Sequence, residues 1–345
     1  MDGIKEFAVA AVTGREEKAR AWLLNRYQRH NARVDKAGNV VFMKKGNCPN
    51  APRRMVVAPM DEVGLYAISA VDDGLIHVRT AGEVDPRLLV SKRVFVGYEK
   101  DGKEPVKGVI GAMAIHLQTP EDRRHVMPET ELYVDIGAKN KDEALQYAPQ
   151  GTPIWFDSSL ETFGSEKSPV LAGRAADRVL LWQIMDRLSR EDVAGDTWFV
   201  FAVRSEVGGG GAKGAVYALE PDECLYLTGV TADDAALEKG DNSVRIGCSL
   251  RGGAAVAFGA NRALCAKNAV KTLRIAREQN IPVQEYLLRA DCDNLSESQL
   301  SHTGVDTVLL GLPVRYRRSP APMAAFCDAD ALFDLAACIL KSKEF

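Results

Sequence analysis

Apolar residues in this chain follow two rhythms, a helical one and a strand one. Near the start, Thr13-Gly14-Arg15-Glu16 has the form of a helix-capping box ahead of Trp22, Leu23 and Leu24, so a helix is predicted there. Residues 32–35 and 40–42 flank Ala37-Gly38-Asn39, which predicts a hairpin with a glycine-bearing turn. Residues 54–58 predict a short buried strand ending at Pro59, where a backbone donor is lost. From about residue 64 to 157 short β-rich runs follow one another at 65–68, 76–79, 93–97, 108–110 and 132–136, separated by turn residues. That stretch predicts a small inserted β domain. Helical and strand patterns then alternate: helices over 174–190, 211–219, 263–279 and 328–340, strands over 198–203, 223–227 and 305–310. In the 263–279 helix, Ala266, Ala269, Val270, Leu273 and Ala276 are expected to face inward. The alternation predicts an α/β fold with a central mixed sheet and helices on both faces. Residues 1–63 and 158–345 would form the main domain, and 64–157 a barrel-like insertion.

Composition narrows the function classes. With 345 residues, 46% hydrophobic and 26% charged, the chain has ample material for a large core. It carries 44 basic and 47 acidic residues, a formal net charge of −3, so there is no basic excess for binding nucleic acid. No apolar run approaches the roughly 20 residues of a membrane span. The first residues are too charged for a signal peptide. Seven cysteines form no CxxC pair, which suits reduced thiols and a cytoplasmic location.

Candidate chemistry lies where strands end, since open α/β sheets present functional residues there. Those places are Met60–Gly64, Ser205–Gly208, Gly229–Thr231, Arg315–Pro320 and the helix start Ala175-Ala176-Asp177-Arg178. The run Gly208–Gly211 before Lys213 lacks the hydroxyl residue of a phosphate-binding loop and reads as a tight strand-to-helix turn. His30, His77, His116, His125 and His302 stand apart from the acidic clusters and read as surface or structural histidines.

Together these motifs resemble the glutamyl aminopeptidase or tetrahedral aminopeptidase family, some of whose members have been labelled cellulase M. The matches run in order along nearly the whole chain: Gly38-Asn39, Met60–Gly64, Lys107–Gly111 with His116, Asp135–Ala138, Ile281–Gln284, Arg315-Tyr316 and Ser319-Pro320. The resemblance implies a zinc-peptidase-like domain with an inserted domain that builds dimers and tetrahedral dodecamers. It also implies a site with two divalent metals, usually zinc or cobalt. Residue by residue, that site is degraded here. The family's metal-ligand positions hold Pro59, Ala176, Glu206, Gly229 and Arg318, so only Glu206 is kept. Ser205 stands where the general base is expected, while Asp61, Asp177 and Arg178 remain as supporting residues. Proline, alanine and glycine side chains cannot coordinate a metal, and an alcohol is no base near neutral pH. The expectation is therefore a pseudopeptidase with no cofactor, whose cleft of Asp61, Asp177, Ser205, Glu206 and Arg318 binds a peptide-like ligand. Its partners would be further copies of itself, up to a dodecamer, or active paralogues. Arg318 either pairs with Glu206 or points to solvent. The alternative is an active hydrolase with a metal relocated near Asp61, Asp177, Glu206 and Asp233 or Asp234; glycoside hydrolysis would need two carboxyls flanking the bond.

Overall fold

The computed structural model describes residues 3–98, 104–234, 247–259, 266–288 and 298–343. Its first strands, β1 (Arg33–Val34) and β2 (Val40–Lys44), pair antiparallel around a turn in which Gly38 has a positive φ. The helix before them, α1 (Glu17–Arg26), starts later than the capping pattern suggested. Its N-cap is Glu16, with no side-chain cap bond, and the Glu16 carboxylate instead accepts the Gly14 N–H at 2.7 Å.

β3 (Arg54–Pro59) is apolar and buried on both faces, as a central strand must be. The chain then leaves the main sheet for a closed six-stranded barrel. Its strands are β4 (Gly64–Ala70), β5 (Ile76–Ala81), β6 (Arg93–Val96), β7 (Val106–Gly111), β8 (Tyr133–Asp135) and β9 (Pro153–Phe156), in the order β4-β5-β8-β7-β6-β9. Leu65, Ile76, Val94, Ile110, Val134 and Ile154 fill its interior. The short helix α2 (Lys141–Tyr147), capped by Asn140, packs on it. β4 and β9, the strands of entry and exit, are antiparallel neighbours.

The return segment supplies β10 (Glu161–Phe163), β11 (Val170–Ala172), α3 (Ala176–Leu188), β12 (Thr197–Ala202), α4 (Gly210–Leu219), β13 (Glu223–Thr231), β14 (Ala254–Gly259), α5 (Ala266–Glu278), β15 (Val283–Leu288), β16 (Asp306–Arg315), β17 (Met323–Ala325) and α6 (Phe326–Lys341). The described strands make an eleven-stranded mixed sheet ordered β1-β2-β12-β3-β13-β16-β17-β11-β10, with β14 and β15 branching from β16. β12, β3, β13 and β16 run parallel, so their carboxyl ends share one edge. Aliphatic and aromatic residues of α1, α3, α5 and α6 bury one face of this sheet, and Ala212, Ala215 and Val216 of α4 cover the other. One detail departs from the sequence reading: Val270 of α5 is exposed rather than inward. The predicted start of that helix at 263–265 lies outside the described residues.

Candidate functional site

The shared edge of β3, β12, β13 and β16 forms one cleft with the start of α3 and the barrel's near side. Asp61, just beyond β3, is buried and fixes the neighbouring loop: its two carboxylate oxygens accept the backbone N–H groups of Ser205 at 2.9 Å and Glu206 at 3.1 Å. Burial, reinforced by the Glu206 charge, pushes the Asp61 carboxyl up to about 6. The same two causes, burial first, raise Asp177, with Arg317 opposing them. Ser205 lies in a single helical turn entered through a left-handed Arg204, and its hydroxyl donates to the Ala202 carbonyl at 3.2 Å. That turn is held from behind by Asn39, which donates to the Gly211 carbonyl at 2.8 Å and accepts the Val203 N–H at 3.0 Å. A Cβ on Gly211 would lie 2.4 Å from the Val203 oxygen, and Gly208 and Gly209 have a positive φ, so the turn itself accounts for three of the four glycines.

Arg318 faces Glu206. Its Nε donates to a Glu206 carboxylate oxygen at 2.9 Å, and its Nη1 donates to Glu83 on the barrel loop after β5. Of the two arrangements open for Arg318, the structure has the ion pair. Two further arginines line the cleft. Arg174 donates to Glu62 and to the Ala8 carbonyl, its guanidinium 4.9 Å over the Trp155 ring. Arg178 donates to the carbonyls of Met60 and Val9, 4.8 Å over Trp182. Glu62 also accepts the Ala11 N–H at 2.7 Å. About 410 Å³ of atom-free space, part of it open solvent, remains between these groups.

Of the residues singled out in the sequence, the structure brings Asp61, Asp177, Glu206 and Arg318 together in the lining of one cleft, with Ser205 on the adjoining turn. Glu62, Arg174 and Glu83 also contact the cleft residues and were not singled out in the sequence. Glu62 was hidden inside a family motif that gives it no role. Glu83 and Arg174 partner residues far away in sequence, and no local signal marks them. Asp234 is engaged elsewhere, in a two-bond pair with Arg315 at 2.8 and 2.7 Å and with the Leu250 N–H at 2.9 Å.

The fold and this cleft position define an aminopeptidase-like protein. An aminopeptidase from the archaeon Desulfurococcus kamchatkensis, APDkam598, superposes with a TM-score of 0.85 at 26% identity, covering 98% of this chain and 93% of that one. The dodecameric PhTET1-12s superposes with a TM-score of 0.79 at 24% identity, over 99% of this chain and 100% of that one. The lysyl aminopeptidase of Pyrococcus furiosus is 27% identical over 90% of this chain and 86% of its own length. The M42 glutamyl aminopeptidase family model matches residues 38–335, and the chain belongs to that family.

Membership corrects one expectation. M42 is a metal-dependent peptidase family, so the reading that no cofactor is to be expected does not stand. That reading was drawn from ligand substitutions alone, and family membership brings the divalent ion back as the expectation. The donor set here does not fit the family's pair of ions. Among the described residues no three His, Cys, Asp or Glu side chains converge as a metal-holding group. Ala176 is wholly buried in the main core. At Gly229 a side chain would crowd Asp177, because its Cβ would sit 2.8 Å from a carboxylate oxygen that would have to move aside.

Proposed function

We propose that this M42-family chain is a binding member of the family, with a cleft that receives a peptide-like ligand and does not carry out two-metal hydrolysis. The observation that carries the reading is the Glu206–Arg318 pair. The Glu206 carboxylate is held by a guanidinium at 2.9 Å, so the protein's own side chain supplies the cation beside it. The Ser205 hydroxyl, directed at a backbone carbonyl, adds no base. Self-association is part of the proposal, as in the dodecameric relative. Val109, Met113, Leu117 and Val126 leave apolar surface exposed on the barrel unit.

The test is release of lysine, glutamate and alanine from the N-terminus of short peptides, in buffer containing zinc or cobalt. The expected result is binding without turnover. The second reading is an active aminopeptidase, favoured by the names of relatives such as the lysyl aminopeptidase. Metal-dependent turnover that is abolished by Glu206→Gln would establish it in place of the first. No helix among the described residues is long and apolar enough to cross a membrane, so both assays can be run in aqueous buffer.

A further inference from the structure

We infer that the cleft is latched by the chain's own Arg318, whose guanidinium fills the cation position on Glu206, and that a ligand carrying a primary ammonium enters by displacing it. The inference rests on the peptide-binding reading above. Arg318 spans two units of the fold. Its Nε is on Glu206, beyond the end of β12, and its Nη1 is on Glu83, beyond the end of the barrel strand β5. The barrel closes the other side as well. Gly82 has φ +91°, and a Cβ there would lie 3.1 Å from the Glu206 Cβ, so the barrel's backbone rests directly on the carboxylate-bearing residue. Glu206 is thus covered by Gly82 and plugged by Arg318, with only 15% of its side chain exposed.

The latch is built to be released. Tyr316 and Arg318 both have a left-handed backbone, at φ 56° and 60°, in a turn closed by the Ser319 N–H on the Tyr316 carbonyl at 3.1 Å. Side-chain-bearing residues adopt that conformation rarely, and surroundings must hold them in it. The outer anchor is weak, because the Glu83 side chain is 70% exposed and its attraction is screened by water and salt. The cleft, in contrast, keeps its appetite for cations. Asp61, Asp177 and Glu206 line it together, with Arg317 facing Asp177, whereas Arg174 and Arg178 are committed to Glu62 and to backbone carbonyls. An ammonium is compact and carries three donors, so it can take the place of the guanidinium on the Glu206 carboxylate.

A site that must open before it binds loses apparent affinity by the fraction open, so a latch closed ten to one hides about tenfold in affinity. Calorimetric titration of the wild type, Arg318→Ala and Glu83→Gln with trialanine amide, and with its N-acetylated form, reads this directly. The amide carries no carboxylate, which keeps loss of Arg318 from being confused with loss of an anion contact. Arg318→Ala is expected to bind the free-amine peptide about tenfold more tightly than the wild type. Glu83→Gln, which leaves Glu206 untouched and keeps the idea testable if the first variant misfolds, should move the same way by less. The acetylated peptide should bind at least tenfold more weakly throughout. Folded variants that bind no more tightly than a wild type that does bind would overturn the latch alone. Binding by none of the three proteins would sink the latch and the peptide-binding reading together. Turnover by the wild type would sink the non-hydrolytic reading alone, and the latch would then stand only if Arg318→Ala lowers KM about tenfold.

Discussion

Restoring an aspartate at Gly229 puts the description of the cleft to a quantitative test. The resemblance implies a metal ligand at that position; here a Cβ would lie 2.8 Å from an Asp177 carboxylate oxygen and 3.2 Å from a Val314 methyl group. Gly229→Ala isolates the steric part. Overpacking a filled site costs about 1–3 kcal/mol, and the loss of glycine's freedom in the unfolded chain returns about 0.4–1 kcal/mol, so a net loss of about 1–2 kcal/mol is expected. Gly229→Asp adds a second carboxylate roughly 4 Å from the first, a repulsion of about 4 kcal/mol at an effective dielectric constant of 20. The pair relieves that repulsion by holding a proton. The folded-state pKa of Asp177 is already raised by burial and by Glu206, and the new charge raises it further. A carboxyl whose folded pKa lies above its unfolded value favours the fold when protonated, and that contribution is lost as pH rises through the folded pKa. The extra cost of aspartate over alanine should therefore be small at pH 5 and should grow toward pH 8. Urea unfolding of the three proteins at both pH values measures it. Equal stabilities for Gly229→Asp and wild type at pH 8, or a penalty independent of pH, would refute the crowding of Gly229 against Asp177.

Three further outcomes are expected. Arg54→Ala should destabilise by about 3–5 kcal/mol in urea unfolding, because it strands the buried Glu223, held at 2.6 Å, and frees the carbonyls of Leu340 and Ser342 that Arg54 binds. Carboxyl NMR titration should place Asp61 and Asp328 near 6, both raised chiefly by burial; Glu206→Gln should lower the Asp61 midpoint and leave that of Asp328 in place. Met113→Lys with Leu117→Lys should shift light-scattering mass toward the monomer while leaving the thermal unfolding of the chain within a few degrees of wild type, because both side chains are exposed.

Much of the fold could be read from local pattern. The 40–42, 54–58 and 198–203 runs are the β2, β3 and β12 strands, whose side chains are buried along most of their length and whose sequences are accordingly apolar. Other elements left no such trace. β10 is exposed at all three residues and β11 and β17 are three residues long, so each is set by its partner's register rather than by its own composition. α2 is a polar seven-residue helix whose one buried residue is Ala144. The apparent capping box failed because Asp61 and Glu62 tie the loop just before α1 to the main sheet, with the Thr13 N–H on the Glu62 carbonyl at 3.0 Å and the Ala11 N–H on the Glu62 side chain. At the cleft the motif positions identified which residues meet, since motifs report strand ends. They could not identify Glu83 or Arg174, whose roles depend on how the barrel docks.

The barrel's two crossing strands have a consequence for how such a chain can change over time. β4 and β9 lie side by side, with Leu65 opposite Ile154 and Tyr66 opposite Pro153. Neighbouring strands are separated by about 5 Å, so the chain leaves and re-enters the main domain through one narrow neck. Lengthening or shortening the excursion adds little closure entropy at that neck, and the sheet's own register, from β2 to β16, is indifferent to it. The outer surface of the barrel can therefore be rewritten without disturbing the strand ends that build the cleft. The loop carrying Gly82 and Glu83 is an exception: it rests on Glu206 and Arg318, and a change there is felt at the site.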